Sequence, residues 1–174
     1  MREKRFILID LGVHVLDMAR VYLGEVERLS AETQRRDPRV SGEDTATMLL
    51  KHRGGGVSMV DCSYDAKRVP DVFPETLVEI EGTKGAILLK PGLKLEVTSG
   101  GRMTEEDADA PVLDWAARPW HVVQESVFAT CAHMLAAVLA KREAETSAVD
   151  NLKTFALAEA AYESMRTGRA ISVD

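Results

Sequence analysis

The chain has 174 residues, of which 45% are hydrophobic and 29% are charged, and its formal net charge at pH 7 is -6. These values are typical of one globular domain that buries a core without disulfide or metal staples. The acidic balance argues against a nucleic-acid surface, and we expect no apolar run near the ~20 residues that cross a membrane and no signal peptide.

The first predicted element is a helix from Asp10 to Leu23. Its apolar residues recur at helical spacing, and Gly24 supplies the stop signal. Three glycines, Gly54-Gly55-Gly56, then separate two runs of alternating polarity, which is a hairpin signal. Strands are therefore predicted at 25–35, 45–53 and 57–64.

The middle of the chain is predicted to continue as strands joined by short turns. Such turns leave no room for a crossover, so neighbouring strands must run antiparallel. We expect 100–109, which is poor in apolar residues, to form an exposed loop. The strands of this region are predicted at 76–81, 86–90 and 93–98.

Two helices are predicted in the last third. One follows Pro119, and the other begins at Ser147, where capping-box spacing occurs, and closes at Gly168. A short strand at 170–173 ends the chain. The apolar stripe that should pack the first of these helices against the sheet comprises Val123, Val127, Cys131, Met134, Leu135 and Val138.

This order predicts an α+β fold: a mostly antiparallel open sheet with helices packed on one face, as a single domain over 1–174 with a flexible start at 1–5. The other sheet face needs a cover, and a second copy of the chain is the commonest solution, so we expect a homo-oligomer. Cys62 and Cys131 lie in apolar patterns without metal or redox spacing, which is typical of buried thiols in a cytoplasmic protein.

Asp10 and His14 are the candidate chemical pair. They are four residues apart near a helix start, where a carboxylate can orient an imidazole and raise its basicity. Asp17 is an alternative companion for His14. By spacing alone, such residues are more often an exposed surface pair or a helix cap than a catalytic pair.

Several segments together carry a resemblance to a known family. They are Ile9-Asp10-Leu11-Gly12-Val13-His14 with Asp17 and Gly24, Cys62-Ser63-Tyr64, Phe73-Pro74-Glu75-Thr76, Glu81-Gly82-Thr83-Lys84-Gly85, and Ala161-Tyr162-Glu163-Ser164 with Thr167-Gly168-Arg169. From about Phe6 to its end, the chain resembles the C-terminal domain of the glucose-fructose oxidoreductase, inositol dehydrogenase and MocA family.

The resemblance implies a domain that binds a sugar or polyol-like substrate and mediates oligomerisation in an NAD- or NADP-dependent oxidoreductase. It also implies that His14 is the general base and Asp10 its acidic companion. The family's N-terminal Rossmann domain has no counterpart here, because Gly54-Gly55-Gly56 lies between two strands rather than between a strand and a helix. We therefore expect the isolated chain to bind no cofactor and to be inactive.

Further candidates come from single residues. Tyr64 and Arg68 follow a strand and are candidates for contact with substrate, although a solvated loop explains them as well. Trp120 and His121 are candidates for stacking on a sugar ring or, alternatively, for core packing. No metal site is predicted. A free-standing ligand-binding or dimerisation module without catalysis is the alternative function.

Overall fold

The structure, a computed structural model, describes residues 4–64, 66–69 and 75–173. The chain divides into two compact units, of which unit 1 comprises Met1–Lys67 with Glu145–Asp174 and unit 2 comprises Arg68–Ala144. All strands pair antiparallel, in two four-stranded sheets accompanied by helices. The α+β class is confirmed, and two sheets stand where one was predicted. The single domain over 1–174 stays a prediction.

Unit 1 begins with a π-helical segment, Leu8–Gly12, which continues directly into a regular helix and ends at Gly24, as predicted. Gly24 has a φ of 80°, a backbone conformation that favours glycine and stops the helix. The final helix is also confirmed: the Ser147 hydroxyl accepts a hydrogen bond from the Asp150 amide, and left-handed Gly168 closes it. The elements are α1 (Val13–Leu23), β1 (Val26–Gln34), β2 (Thr45–His52), β3 (Val57–Ser63), α3 (Ala148–Thr167) and β8 (Ile171–Ser172).

The sheet of unit 1 has the order β3-β2-β1-β8. One of its faces is buried with α1 and α3, so helices cover one face as predicted. Burial alternates along β2, because successive side chains of a strand point to opposite faces. The core residues are Ile7, Leu8, Leu16, Ala19, Val26, Leu29, Ala31, Ala46, Met48, Leu50, Val60, Cys62, Leu157, Ala158, Ala160, Ala161 and Tyr162.

Unit 2 contains the strands β4 (Val78–Gly82), β5 (Gly85–Lys90), β6 (Lys94–Ser99) and β7 (Arg102–Asp107), which pair in that order as an antiparallel meander, and then the helix α2 (His121–Leu139). Its last strand corrects the predicted loop at 100–109. This strand is exposed at every residue, so its sequence lacks the alternation of apolar and polar residues that predicts a strand. Its carboxylates Glu105 and Asp107 accept hydrogen bonds from lysines of other strands, which stabilise it.

Helix α2 forms as predicted, but its apolar stripe is not buried. Val127 and Leu135 are 56% and 60% exposed, and Cys131 is an exposed free thiol, which corrects the expectation of two buried cysteines. Cys62 is buried, and burial raises the pKa of its thiol to about 12. By length and composition, the 19 residues of α2 could cross a membrane, which corrects the expectation that no apolar run approaches that length. Core helices of soluble proteins also have this length and composition.

Candidate functional site

Asp10 and His14 lie on either side of the junction between the π-helical segment and α1. Gly12 is buried at this junction, where an added Cβ would lie 3.3 Å from the Ile7 carbonyl oxygen, so a side chain there would crowd the wide turn. Single π-helical turns occur frequently at functional sites. The backbone around the candidate pair is therefore unusual in a way that is typical of such sites.

Both candidate side chains are exposed to solvent. In the part of the chain that the structure describes, no hydrogen bond joins the Asp10 carboxylate to the His14 imidazole, and neither side chain makes another hydrogen bond or ion pair. Their polar atoms thus remain available to a bound molecule. The catalytic roles of Asp10 and His14 stay predictions.

Asp17, the alternative companion for His14, is engaged elsewhere. Its carboxylate accepts hydrogen bonds from the Thr154 hydroxyl at 2.5 Å and from Arg20 Nη1 at 3.0 Å. The contact with Thr154 joins the middle of α1 to α3. Asp17 therefore helps to hold the helix that carries His14.

Arg20 is the centre of a polar network in unit 1. Its side chain is only 6% exposed, and it donates to both carboxylate oxygens of Glu25 at 3.1 Å and to Asp150 at 2.9 Å. The hydrogen bonds that Arg20 donates to Glu25 and then to Asp150 raise the pKa of Arg20, and Arg20 in turn lowers the pKa values of both carboxyl groups. The network ties the end of α1 to the starts of β1 and α3.

Glu43 anchors the opposite end of the same helical run. Its Oε1 atom accepts hydrogen bonds from the backbone amides of Phe6 at 3.1 Å and Leu8 at 3.2 Å, and from the Tyr162 hydroxyl at 2.7 Å. Burial, followed by this bond to Glu43, raises the pKa of Tyr162. The carboxylate satisfies amides at a helix start that lack intrahelical partners, so it fixes where Asp10 projects.

Among the other candidates, Tyr64 is the one that lies near this helix start. Its ring, 56% exposed, meets the Phe6 ring edge-on with a centroid distance of 5.1 Å, and the Phe6 carbonyl accepts the amide of Asp10. Arg68, Trp120 and His121 belong to unit 2. Arg68 donates to Glu75 at 2.5 Å, and Trp120 is 47% exposed.

His121 is buried at the start of α2, and a carboxylate holds it. Its Nε2 atom lies 2.7 Å from Asp109 Oδ1, and the Arg118 guanidinium lies 2.7 Å from Oδ2 of the same carboxylate. The hydrogen bonds from His121 and then Arg118 lower the pKa of Asp109. Nδ1 of His121 is buried without a hydrogen-bond partner among the described residues, which leaves its donor or acceptor capacity unused.

His52 and Lys90 make contacts that stabilise the fold. His52 is buried, with Nδ1 2.7 Å from the Gly24 carbonyl oxygen and Nε2 2.8 Å from the Ser58 hydroxyl. Lys90 donates to Glu96 and Glu105, which raises its pKa. Within the described ranges, no group of three potential metal ligands occurs.

The glycine turn Gly54-Gly55-Gly56 joins β2 directly to β3. A dinucleotide-binding turn instead leads from a strand into a helix whose amides receive the pyrophosphate. The residues of this turn therefore do not fit a nicotinamide cofactor.

A family model for the GFO/IDH/MocA C-terminal domain matches residues 2–88, half of the chain. The chain belongs to this family. The matched part contains the π-helical junction and the hairpin of β2 and β3. Of the quoted family segments, Phe73-Pro74 lies outside the described residues.

Named relatives extend the match along nearly the whole chain. D-apiose dehydrogenase from Rhizobium rhizogenes is 51% identical over 98% of the chain, and D-apiose dehydrogenase from Paraburkholderia graminis is 43% identical over 99% of it. A crystal structure of an oxidoreductase from Agrobacterium radiobacter in complex with NAD+, L-tartaric acid and magnesium is 51% identical, with a TM-score of 0.95 over 97% of the chain.

The chain spans about half the length of these relatives: 49% and 46% of the two dehydrogenases and 49% of the crystallised oxidoreductase. These relatives, two D-apiose dehydrogenases and an oxidoreductase, are thus about twice as long as this chain. The part that aligns is the C-terminal domain.

Proposed function

We propose that this chain is the substrate-binding and oligomerisation domain of an NAD- or NADP-dependent sugar dehydrogenase, with D-apiose as the first substrate to test. The observation that carries this proposal is 51% identity to a D-apiose dehydrogenase over 98% of the chain. A substrate that presents several hydroxyl groups also suits the exposed polar atoms at the π-helical junction. The cofactor would belong to the half of the enzyme that this chain does not span.

In this proposal His14 accepts the proton of the substrate hydroxyl that becomes a carbonyl. The exposure of the His14 imidazole and the absence of a protein hydrogen-bond partner within the described residues support this role. A neutral imidazole has a nitrogen lone pair that can take up a proton from a hydroxyl group. Asp10, about one helical turn away, would orient the imidazole or the substrate.

The anchoring contacts of α1 support the same role. Hydrogen bonds of the Arg20 network fix one end of the helical run, and those of Glu43 fix the other. The backbone that carries His14 is therefore held at both ends. A general base must be positioned within about 0.5 Å to work efficiently, and side chains on braced helices meet that requirement better than side chains on loops. Tyr64, Arg68, Trp120 and His121 remain candidate substrate contacts.

The experiment is a rate measurement on the full-length enzyme that contains this chain. His14→Asn keeps a polar side chain of similar size but cannot accept the proton, so kcat with D-apiose should fall by about 100-fold or more. His133→Asn on α2 is the matched control, and its kcat should stay within about twofold of the wild type. A His14→Asn enzyme with near-normal kcat would remove His14 from the mechanism.

The alternative, a free-standing module without catalysis, predicts that the 174-residue chain binds a sugar by itself. Titration calorimetry of the isolated chain with D-apiose tests this. Binding that survives the double change Asp10→Asn and His14→Asn would favour the module. We further propose a cytoplasmic location, which the two free thiols support, and fractionation of the native cells would test it.

A further inference from the structure

Three consecutive backbone amides at the start of the helical run bind one residue, Glu43. The Glu43 Oε1 atom accepts the amides of Phe6 and Leu8 at 3.1 and 3.2 Å, and the Glu43 carbonyl oxygen accepts the amide of Ile7 at 3.0 Å. The first amides of a helix have no partners within it, so acceptors from outside decide where the helix begins. Glu43 lies 35 residues after Leu8 and supplies these acceptors from a different segment.

The residues on either side of Glu43 hold it against the chain that enters the helix. A Cβ added to Gly42 would lie 2.8 Å from backbone atoms of residues 5 and 6, so the two segments are in direct backbone contact. The buried Asp44 carboxylate accepts two backbone amides of the preceding loop, which fixes that loop. Glu43 therefore has little room to move relative to the helix start.

Tyr162 on α3 fixes the direction of the Glu43 carboxylate. Its hydroxyl donates to the same Oε1 atom at 2.7 Å, and the residue is only 2% exposed. The Arg5 guanidinium lies 4.3 Å from the centre of the Tyr162 ring and also pairs with Glu159 on α3. Oε1 of Glu43 therefore receives three hydrogen bonds. We call Glu43 and Tyr162 together the helix anchor.

The anchored amides belong to the turn that leads to the candidate pair. The Phe6 carbonyl accepts the amide of Asp10 at 3.0 Å, and His14 follows one turn later, beyond the π-helical turn Leu8–Gly12. A π-helical turn contains one residue more than an α-helical turn, and successive helical residues differ in direction by about 100°. Relaxation of this turn to an α-helix would therefore rotate His14 relative to the amides that Glu43 binds.

We propose that Glu43 and Tyr162 are positioning residues, which hold the π-helical turn so that Asp10 and His14 face the substrate together. Both residues of the anchor are buried, so they act on the substrate only through the pair. The inference rests on the proposed roles of Asp10 and His14. Its consequence is a loss of turnover that passes through His14 and is separate from any loss of folding stability.

The first test measures turnover of D-apiose by the full-length enzyme with variants of Glu43. Glu43→Ala removes the acceptor, and kcat should fall by about 100-fold, because a displacement of about 1 Å is enough for such a loss. Glu43→Gln keeps a side-chain carbonyl oxygen as acceptor and should retain at least about tenfold more kcat than Glu43→Ala. The KM should change by less than about threefold in both variants, because neither loses a substrate contact.

Ser164→Ala is the matched control for a loss of buried hydrogen bonds. Ser164 lies on the same helix as Tyr162 and is also 2% exposed; its hydroxyl donates to the Arg169 carbonyl at 2.6 Å and accepts the Ala31 amide at 3.0 Å. Its removal should lower the unfolding midpoint but leave kcat within about twofold of the wild type at temperatures where the enzyme is folded. A loss of kcat as large as that of Glu43→Ala would show a general effect of destabilisation and contradict the proposal.

The second test asks whether the anchor acts through His14, and it uses the conservative change Tyr162→Phe, which keeps the buried ring. Tyr162→Phe alone should lower kcat by about tenfold. In a His14→Asn background the same change should lower kcat by less than about twofold, because effects of residues that act as a unit are not additive. Equal fold losses in the two backgrounds would overturn the proposal, including in the case that Glu43→Ala does not fold.

The outcomes also separate this inference from the proposed function. If His14→Asn leaves kcat near normal, the proposed role of His14 fails, and the positioning role fails with it. If His14→Asn lowers kcat but the folded Tyr162→Phe enzyme turns over like the wild type, only the positioning role is overturned.

Discussion

Unit 1 and unit 2 contain similar four-stranded antiparallel sheets but organise their apolar residues in opposite ways. In unit 1, two helices and one sheet face enclose a continuous core. In unit 2, no residue of β4 to β7 is fully buried, and His121 and Ala137 are the buried residues among those described. Stability therefore comes from enclosed packing in one unit and from local turns and cross-strand pairs in the other.

The charged contacts differ in the same way. Arg20 in unit 1 is enclosed by Glu25, Asp150 and Thr154, whereas the Lys94 and Asp107 pair in unit 2 is largely exposed. Exposed pairs contribute at most about 1 kcal/mol each, but a buried guanidinium must keep its partners to offset its desolvation. The comparison teaches that residues of the same type have different energetic weight in the two units.

The largest expected effect tests packing directly. Leu157→Ala removes a side chain that is 2% exposed in α3, and the cavity should lower the free energy of unfolding of unit 1 by about 2–5 kcal/mol. Leu135→Ala on α2, where the side chain is 60% exposed, is the matched control and should cost less than about 0.5 kcal/mol.

Hydrogen exchange of the β1 and β2 amides at increasing urea concentration measures the free energy of unfolding of unit 1. Fluorescence of Trp115 and Trp120, both in unit 2, reports the other unit in the same sample. Equal losses for Leu157→Ala and Leu135→Ala would abolish the contrast between the two units.

Arg20→Met should have the next largest effect. It keeps an apolar stem but leaves Asp17, Glu25 and Asp150 without their shared cation, and the expected loss is about 2–3 kcal/mol because these carboxylates are partly exposed to water. Arg166→Met removes an exposed cation from α3 and should cost less than about 1 kcal/mol. Urea titration followed by far-ultraviolet circular dichroism compares the two, and identical midpoints would contradict the buried network.

Tyr162→Phe isolates a single hydrogen bond of the helix anchor. The change removes the hydroxyl that donates to Glu43 and keeps the buried ring, so we expect a loss of about 1–2 kcal/mol. Tyr22→Phe on the exposed side of α1 is the control and should be nearly neutral. If thermal unfolding shows no difference between the two variants, Glu43 is satisfied without Tyr162.

The smallest effect is a pH dependence. Arg20 lowers the pKa values of Glu25 and Asp150 in the folded state, so these carboxylates stabilise unit 1 above their unfolded pKa values, near pH 4, and lose that contribution as the pH falls through the lowered values. Unfolding measured from pH 7 to pH 3 should therefore show a steeper acid loss in the wild type than in Arg20→Met. Parallel curves would contradict this linkage.

The local elements were largely predictable from local signals. Gly24 and Gly168 as helix ends, Ser147 as a cap and Gly54-Gly55-Gly56 as a hairpin turn all act over a few residues, so their outcome does not depend on distant contacts. Strand β7 was missed because its stabilising partners, Lys90 and Lys94, lie on other strands. Its own residues carry no alternation.

The candidate site was predictable only in part. Asp10 and His14 were identified from spacing and from the family motif, but the anchors Arg20, Glu43 and Tyr162 were not. Arg20 and Glu43 obtain their partners from residues 130 and 119 positions away, respectively. An arginine in the last turn of a predicted helix and a tyrosine in a family motif were the available signals, and neither of them indicates which residue is its partner.

The sequence by itself determined the α+β class, the helix ends and the family, because periodicity, capping residues and motifs are properties of neighbouring positions. Only the tertiary structure decided which apolar stripes are enclosed, since α2 and α3 are both helices but only α3 has a sheet face to cover its apolar side chains within its own unit. It also decided that Asp17 serves the Arg20 network, because the competing partner, Thr154, arrives from the far end of the chain.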